Sequence, residues 1–175
     1  VLCFCHPDDD AATRAAQGAP ENRLFEAARR NGLELGLEII PSKVGPVDDM
    51  TNARLIEQFY AIGVYPDWWK LEPMKTRAGW ENAIAAIEAH DRHTRGIVVL
   101  GLDAPEAELA ASFAVAAAFP LVRGFAVGRT IFGEVARNWL AGQISDDDAV
   151  AAMAGRYARL CGIWDAARTK AQAGV

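Results

Sequence analysis

The sequence predicts a parallel α/β fold, and two patterns carry that expectation. Short apolar runs alternate with longer helical patterns along the chain, the signature of a parallel sheet joined by right-handed crossovers. The C-terminal end of every apolar run also carries ionisable residues or glycine, and functional groups gather at that end in such folds.

Five strands are expected, at Val1–Cys5, Leu33–Ile40, Asp67–Leu71, Gly96–Gly101 and Arg123–Val127. Each has the length and composition of a strand buried on both faces. Between them, Glu21–Arg30 places Leu24, Phe25 and Ala28 on one helical face, and Asp49–Ile62 does the same with Leu55, Ile56 and Phe59. Trp80–His90 carries Ile84 and Ile87, and Pro105–Phe119 opens with proline in its first turn. Two helices follow the fifth strand, the first over Phe132–Ala141. The second is capped by Ser145, has Asp146–Asp148 in its first turn and runs to about Lys170. Five strands are too few for a closed (β/α)8 barrel, which takes about 250 residues. A piece of a barrel and an open doubly wound sheet both fit, as a single domain over residues 1–175.

Composition narrows the function classes. The chain has 175 residues, 51% of them hydrophobic, and 18 basic against 23 acidic residues give a net charge of −5. Its basic residues are scattered, so a nucleic-acid partner is not expected. No run reaches the roughly 20 apolar residues that span a bilayer. Cys3, Cys5 and Cys161 form neither a metal-ligand pattern nor a disulfide framework and read as core residues of a reduced, cytoplasmic protein. Neither a metal nor a cofactor is expected: Asp8–Asp10 is read as a solvated loop, and GxGxxG, P-loop, GxSxG and HExxH motifs are all missing. Val1–Cys5 reads as the middle of a buried strand, which places further chain upstream. Its unpaired edge predicts association into a homo-oligomer.

Lys70 is the sharpest candidate for chemistry. It lies in Trp68-Trp69-Lys70-Leu71-Glu72-Pro73, and period-two alternation puts Trp68, Lys70 and Glu72 on one face. An amine held among aromatics loses hydration, which disfavours its charged form and favours the nucleophile that makes a Schiff base with a ketone. Glu72 is a partner or proton carrier by the same alternation. Glu38 interrupts an apolar strand and needs a partner too, for which Lys70 on the next strand is suited. Both pairings also fit a purely structural role. Gly124-Phe125-Ala126-Val127-Gly128-Arg129 precedes a helix, where glycine amides, a helix N-terminus and an arginine suit a phosphate. Gly101 would supply the other half of that site, provided Asp103 points away. His6 shares a strand face with Leu2 and Phe4 and is expected to line the same cavity. His90 and His93 read as surface residues.

Four blocks, CFCHPDDD, LGLEIIPSK, GVYPDWWKLEP and VRGFAVGRTIFGE, resemble a domain of bacterial myo-inositol catabolism. That domain is fused behind a sugar kinase, 5-dehydro-2-deoxygluconokinase, and is similar to class I aldolases of the tagatose-bisphosphate type. The resemblance covers nearly the whole chain. It implies about the last five βα units of a (β/α)8 TIM barrel, with the kinase domain upstream. Lys70 falls in the place of the Schiff-base lysine, Glu38 in that of a glutamate ending the preceding strand, and the two following strands in the place of those that hold phosphate. The implied reaction cleaves 2-deoxy-5-keto-gluconate 6-phosphate, a phosphorylated keto-sugar acid, to dihydroxyacetone phosphate and malonate semialdehyde. A non-catalytic sugar-phosphate-binding or scaffold domain is the alternative.

Overall fold

The computed structural model describes residues 1–173, which form one five-stranded sheet. The strands are β1 (Leu2–Cys3), β2 (Gly36–Ile39), β3 (Trp68–Leu71), β4 (Gly96–Leu100) and β5 (Val122–Ala126). They lie side by side in chain order, and every pairing is parallel. The helices are α1 (Ala11–Arg30), α2 (Thr51–Ala61), α3 (Arg77–His90), α4 (Glu106–Ala116), α5 (Arg129–Leu140) and α6 (Asp146–Ala173). A short 3₁₀ turn, Pro41–Lys43, follows β2.

Alternation along the strands sorts their side chains. Leu37, Ile39, Trp69, Leu71, Ile97 and Val99 point to one face, are fully buried, and join Leu55, Ile56, Trp80, Ile87, Leu109 and Phe113 of the helices in one core. Right-handed crossovers between sequential strands account for a helix layer on that face. The opposite face, with Leu2, Phe4, Glu38, Trp68, Lys70, Val98 and Gly124, stays partly or fully exposed.

Several elements differ from their expected bounds. The first helix begins ten residues before Glu21, at Ala11, and includes Pro20. Its start is set by Asp10, whose carboxylate accepts hydrogen bonds from the Ala12 and Thr13 N–H groups, both at 2.9 Å. The aspartate run is therefore structural: Asp10 caps the helix, Asp9 accepts from the His6 N–H at 2.8 Å, and Asp8 pairs with Arg54. The fifth helix starts at Arg129, earlier than Phe132. Ser145 accepts from the Asp148 N–H at 3.1 Å, as its capping role requires.

The last helix is held by buried Ala149, Leu160 and Trp164 and by Arg168. Arg168 stacks over Trp164 with 5.3 Å to the ring centroid and donates to the carbonyls of Ala117, Phe119 and Val122. Those acceptors lie at the end of α4 and the start of β5, so one guanidinium ties three elements together. Trp164 meets Phe113 edge to face at 5.3 Å. Among the described residues, no helix is long and apolar enough to cross a membrane.

Candidate active site

The register across the sheet aligns one row of the helix-free face: Leu2, Glu38, Lys70, Val98 and Gly124. Glu38 and Lys70 are direct neighbours in it, on strands about 4.8 Å apart. Their side chains meet, with the Lys70 Nζ 2.9 Å from Glu38 Oε2. The row then falls away in size. Val98 is short, and a Cβ built on Gly124 would meet nothing within 4 Å. Open space therefore lies over β5, two strands from Lys70, on a face no helix covers.

The surroundings of Lys70 correct the expected setting in one respect. Trp69 and Leu71 turn to the helix side and are fully buried, so they do not strip the amine of water. Of the other β3 residues only Trp68 shares its face, anchored by its indole N–H to Glu34 at 2.9 Å. The Lys70 and Glu38 side chains keep 27% and 19% of their exposure, and a carboxylate meets the ammonium directly. Charge pairing, more than burial among aromatics, defines this lysine.

Glu72 does not join the pair. β3 ends at Leu71, and Glu72 is buried just beyond it, accepting from the Ser42 N–H at 3.0 Å and from the Ser42 hydroxyl. It thereby fixes the Pro41–Lys43 turn at the mouth of β2. His6 also departs from expectation. It is buried, its Nε2 donates to the Pro46 carbonyl at 2.8 Å, and its Nδ1 accepts from the Asp8 N–H at 3.3 Å. A carbonyl can only accept, so the proton sits on Nε2. With Gly45 closing on its ring, His6 latches the loop after β2 to the end of β1, whereas Leu2 and Phe4 lie exposed.

A second cluster forms where β4 and β5 end. Gly101 lies three residues past Val98, about 10 Å further along the strand direction. A Cβ there would come within 2.9 Å of Val127 Cγ1, so the missing side chain lets the two loops close on each other. Leu102 and Asp103 follow with φ of 50° and 62°, a left-handed pair without glycine. Such residues cost on the order of 1–3 kcal/mol each and concentrate where a site constrains the chain. Gly128 precedes the first turn of α5, and Arg129 at that turn lies 3.7 Å from Asp103 Oδ2, both side chains largely exposed. Asp103 thus points toward Arg129 and occupies the charge that a phosphate would use.

A model of the bacterial family described as "Uncharacterized protein conserved in bacteria (DUF2090)" matches residues 1–168. The chain belongs to that family. No curated protein matches it.

In this DUF2090 chain, sequence reading missed three features of the site. Ser42 escaped notice although Pro41 before it signals a tight turn. The left-handed Leu102 carries no signal, since leucine is an unfavourable residue for that conformation. Asp8, the first of the aspartates, is tied by Arg54 from α2, a contact between residues 46 positions apart that no local pattern shows. Among the described residues of this DUF2090 member, no group of three or more His, Cys, Asp and Glu is arranged to hold a metal ion.

Proposed function

We propose that this chain is an arc of a (β/α)8 barrel carrying Schiff-base aldolase chemistry on Lys70. The observation that carries the reading is the Lys70–Glu38 pair, 2.9 Å apart on the helix-free face, in a row that ends in open space at Gly124 two strands away. In a closed barrel that face would be the interior, and the strand ends would form the catalytic mouth. The row position of Lys70, between a carboxylate and two small residues, suits an amine that must admit a carbonyl carbon.

The chemistry follows from those groups. Glu38 takes a proton from the ammonium, and the free amine adds to the substrate ketone. The carbinolamine hydroxyl takes the proton held by Glu38 and leaves as water, which returns Glu38 to the carboxylate. The iminium that remains is the electron sink. A base then removes the proton of the hydroxyl two carbons away, for which Glu38 is placed by its contact with Lys70. The carbon–carbon bond breaks, an aldehyde departs, and its electron pair forms an enamine on Lys70. Protonation of the enamine carbon and hydrolysis return the lysine and release a ketone. Gly101, Gly128 and Arg129 form the phosphate end, with Asp103 displaced from Arg129 when the anion binds, while Gly124, in the Lys70 row, lies on the path between the two. Glu72 and His6 act in this reading as positioning residues for the loop after β2. The substrate the resemblance favours is 2-deoxy-5-keto-gluconate 6-phosphate, with a sugar kinase domain upstream, self-association at the β1 edge and a cytoplasmic setting.

The test is direct cleavage. Full-length protein supplied with that substrate should release dihydroxyacetone phosphate, measured by coupled reduction, and the release should vanish in Lys70→Met. Substrate binding without any release would instead mark a sugar-phosphate-binding domain.

A further inference from the structure

We propose that the cleft between α1 and α2 is a second binding site, taking a small monocarboxylate with an aliphatic or aromatic tail held at its mouth by Arg14. The cleft has a volume of about 610 Å³, within the roughly 300–1,000 Å³ of small-ligand pockets. It lies behind β1 on the helix side of the sheet, away from Lys70, and is independent of the aldolase reading.

Its existence follows from the residues of α1. This helix buries only Gly18 and Glu21, and it turns Ala15 and Ala19 toward Leu55, Phe59 and Ile62 of α2 and its cap. Side chains this small cannot fill the space between two helices. The helices approach closely at Gly18, where a Cβ would lie 2.6 Å from Ile62 Cδ1, and the cleft opens beside that contact. Three amides fix the walls. Gln17 donates to the Phe4 carbonyl at 3.0 Å, Asn22 to that of Ile62 at 2.9 Å, and Gln58 to that of Pro7 at 3.1 Å. The cleft is therefore tethered on both sides.

The lining selects the ligand. An apolar interior leaves sugar hydroxyls without partners, which disfavours a polyol. Cys5 lines it as well, but its hydrogen bond to Cys3, followed by burial, pushes the thiol well up, so it stays protonated and is no nucleophile. Arg14 is the one cation of the lining, and among the described residues it forms no ion pair. It donates to the Asp9 carbonyl, while nearby Asp10 spends its carboxylate capping α1. A guanidinium with free N–H groups above an apolar cavity matches a planar carboxylate with an apolar tail.

Octanoate, octan-1-ol and octylammonium, titrated calorimetrically into the chain, test this. Octanoate should bind roughly tenfold tighter than octanol, the worth of one charge-assisted contact, and octylammonium should bind weakest. Arg14→Gln should bring octanoate down to the level of octanol and leave octanol unchanged. Ala19→Phe, with its fold checked by circular dichroism, should abolish binding of both. If that variant does not fold, methyl resonances of Leu55 and Ile62 in the unaltered chain decide, and they should move on adding octanoate. Absence of octanoate binding at millimolar concentration, equal affinity for all three probes, or unmoved Leu55 and Ile62 methyls overturns the proposal.

Discussion

Replacing Lys70 with methionine separates a catalytic amine from a structural ion pair, because the two roles predict different losses. The variant keeps most of the aliphatic stem, so packing on the helix-free face changes little. What is lost is the 2.9 Å contact to Glu38 Oε2. A sequestered hydrogen bond to a charged group contributes about 1.5–3 kcal/mol, and an exposed ion pair about 0.2–1 kcal/mol. With side chains 27% and 19% exposed, this pair falls between those limits, at about 1–2 kcal/mol. For a chain of this size that lowers Tm by about 2–8 °C, leaving the fold intact at room temperature. The assay is incubation with dihydroxyacetone phosphate and borohydride, which reduces any imine to a stable secondary amine, followed by intact-mass and peptide analysis. Unaltered protein should gain one adduct, on the peptide bearing Lys70, and Lys70→Met should gain none. An adduct on Lys43, Lys75 or Lys170, or equal trapping in Lys70→Met, would refute the assignment of Lys70 as the nucleophile.

Four further outcomes follow from the same contacts. Ser42→Ala removes one partner of buried Glu72 and should cost about 1–2 kcal/mol in denaturant unfolding, with turnover falling as the β2 turn loosens. Asp103→Ala frees Arg129 and should tighten binding of inorganic phosphate severalfold, whereas Arg129→Ala should weaken it roughly tenfold or more; calorimetry measures both. Arg168→Met deprives three carbonyls of their donor and should destabilise the chain by about 2–3 kcal/mol, read from the urea midpoint. Burial of Glu21 raises its pKa, partly offset by the thiol of Cys3, so the folded state holds its proton more tightly than the unfolded state does. Stability should therefore fall as pH rises from the usual carboxylate range through the raised value. Glu21→Gln should remove that fall, and the two proteins should converge at acid pH.

The sheet was legible because its signal is local. A run such as Gly96-Ile97-Val98-Val99-Leu100 is short, β-branched and bounded by glycine and turn residues, which suits a strand, although its Val98 face stays partly exposed. The start of α1 was harder to read, since Ala11–Ala19 has no apolar stripe and Pro20 interrupts it; the cap on Asp10 and the tethers from Gln17 and Asn22 hold it instead. Within the site, the Glu38–Lys70 contact could be anticipated from two charges placed at matching depth in neighbouring apolar strands. Glu72 and His6 could not be placed in the same way. Alternation assigns a face only while the strand continues, and both lie past its end, where the chain turns and their side chains find Ser42 and Pro46. Asp103 was legible as a rival for Arg129, but its left-handed backbone was not, because nothing in Gly-Leu-Asp demands it.

The order of the strands also governs how the molecule comes apart. Each strand pairs only with its neighbours in the chain, so no distant segment has to leave before an end can fray. β1 has two residues and one neighbour, and α1 behind it buries only Gly18 and Glu21. Brief local openings that let amide protons exchange should therefore begin at this end and move inward. β2 and β3, which hold Glu38 and Lys70, have a strand on both sides. The backbone amides of that pair should be among the slowest to exchange, and the alignment of the two side chains should outlast the loss of β1.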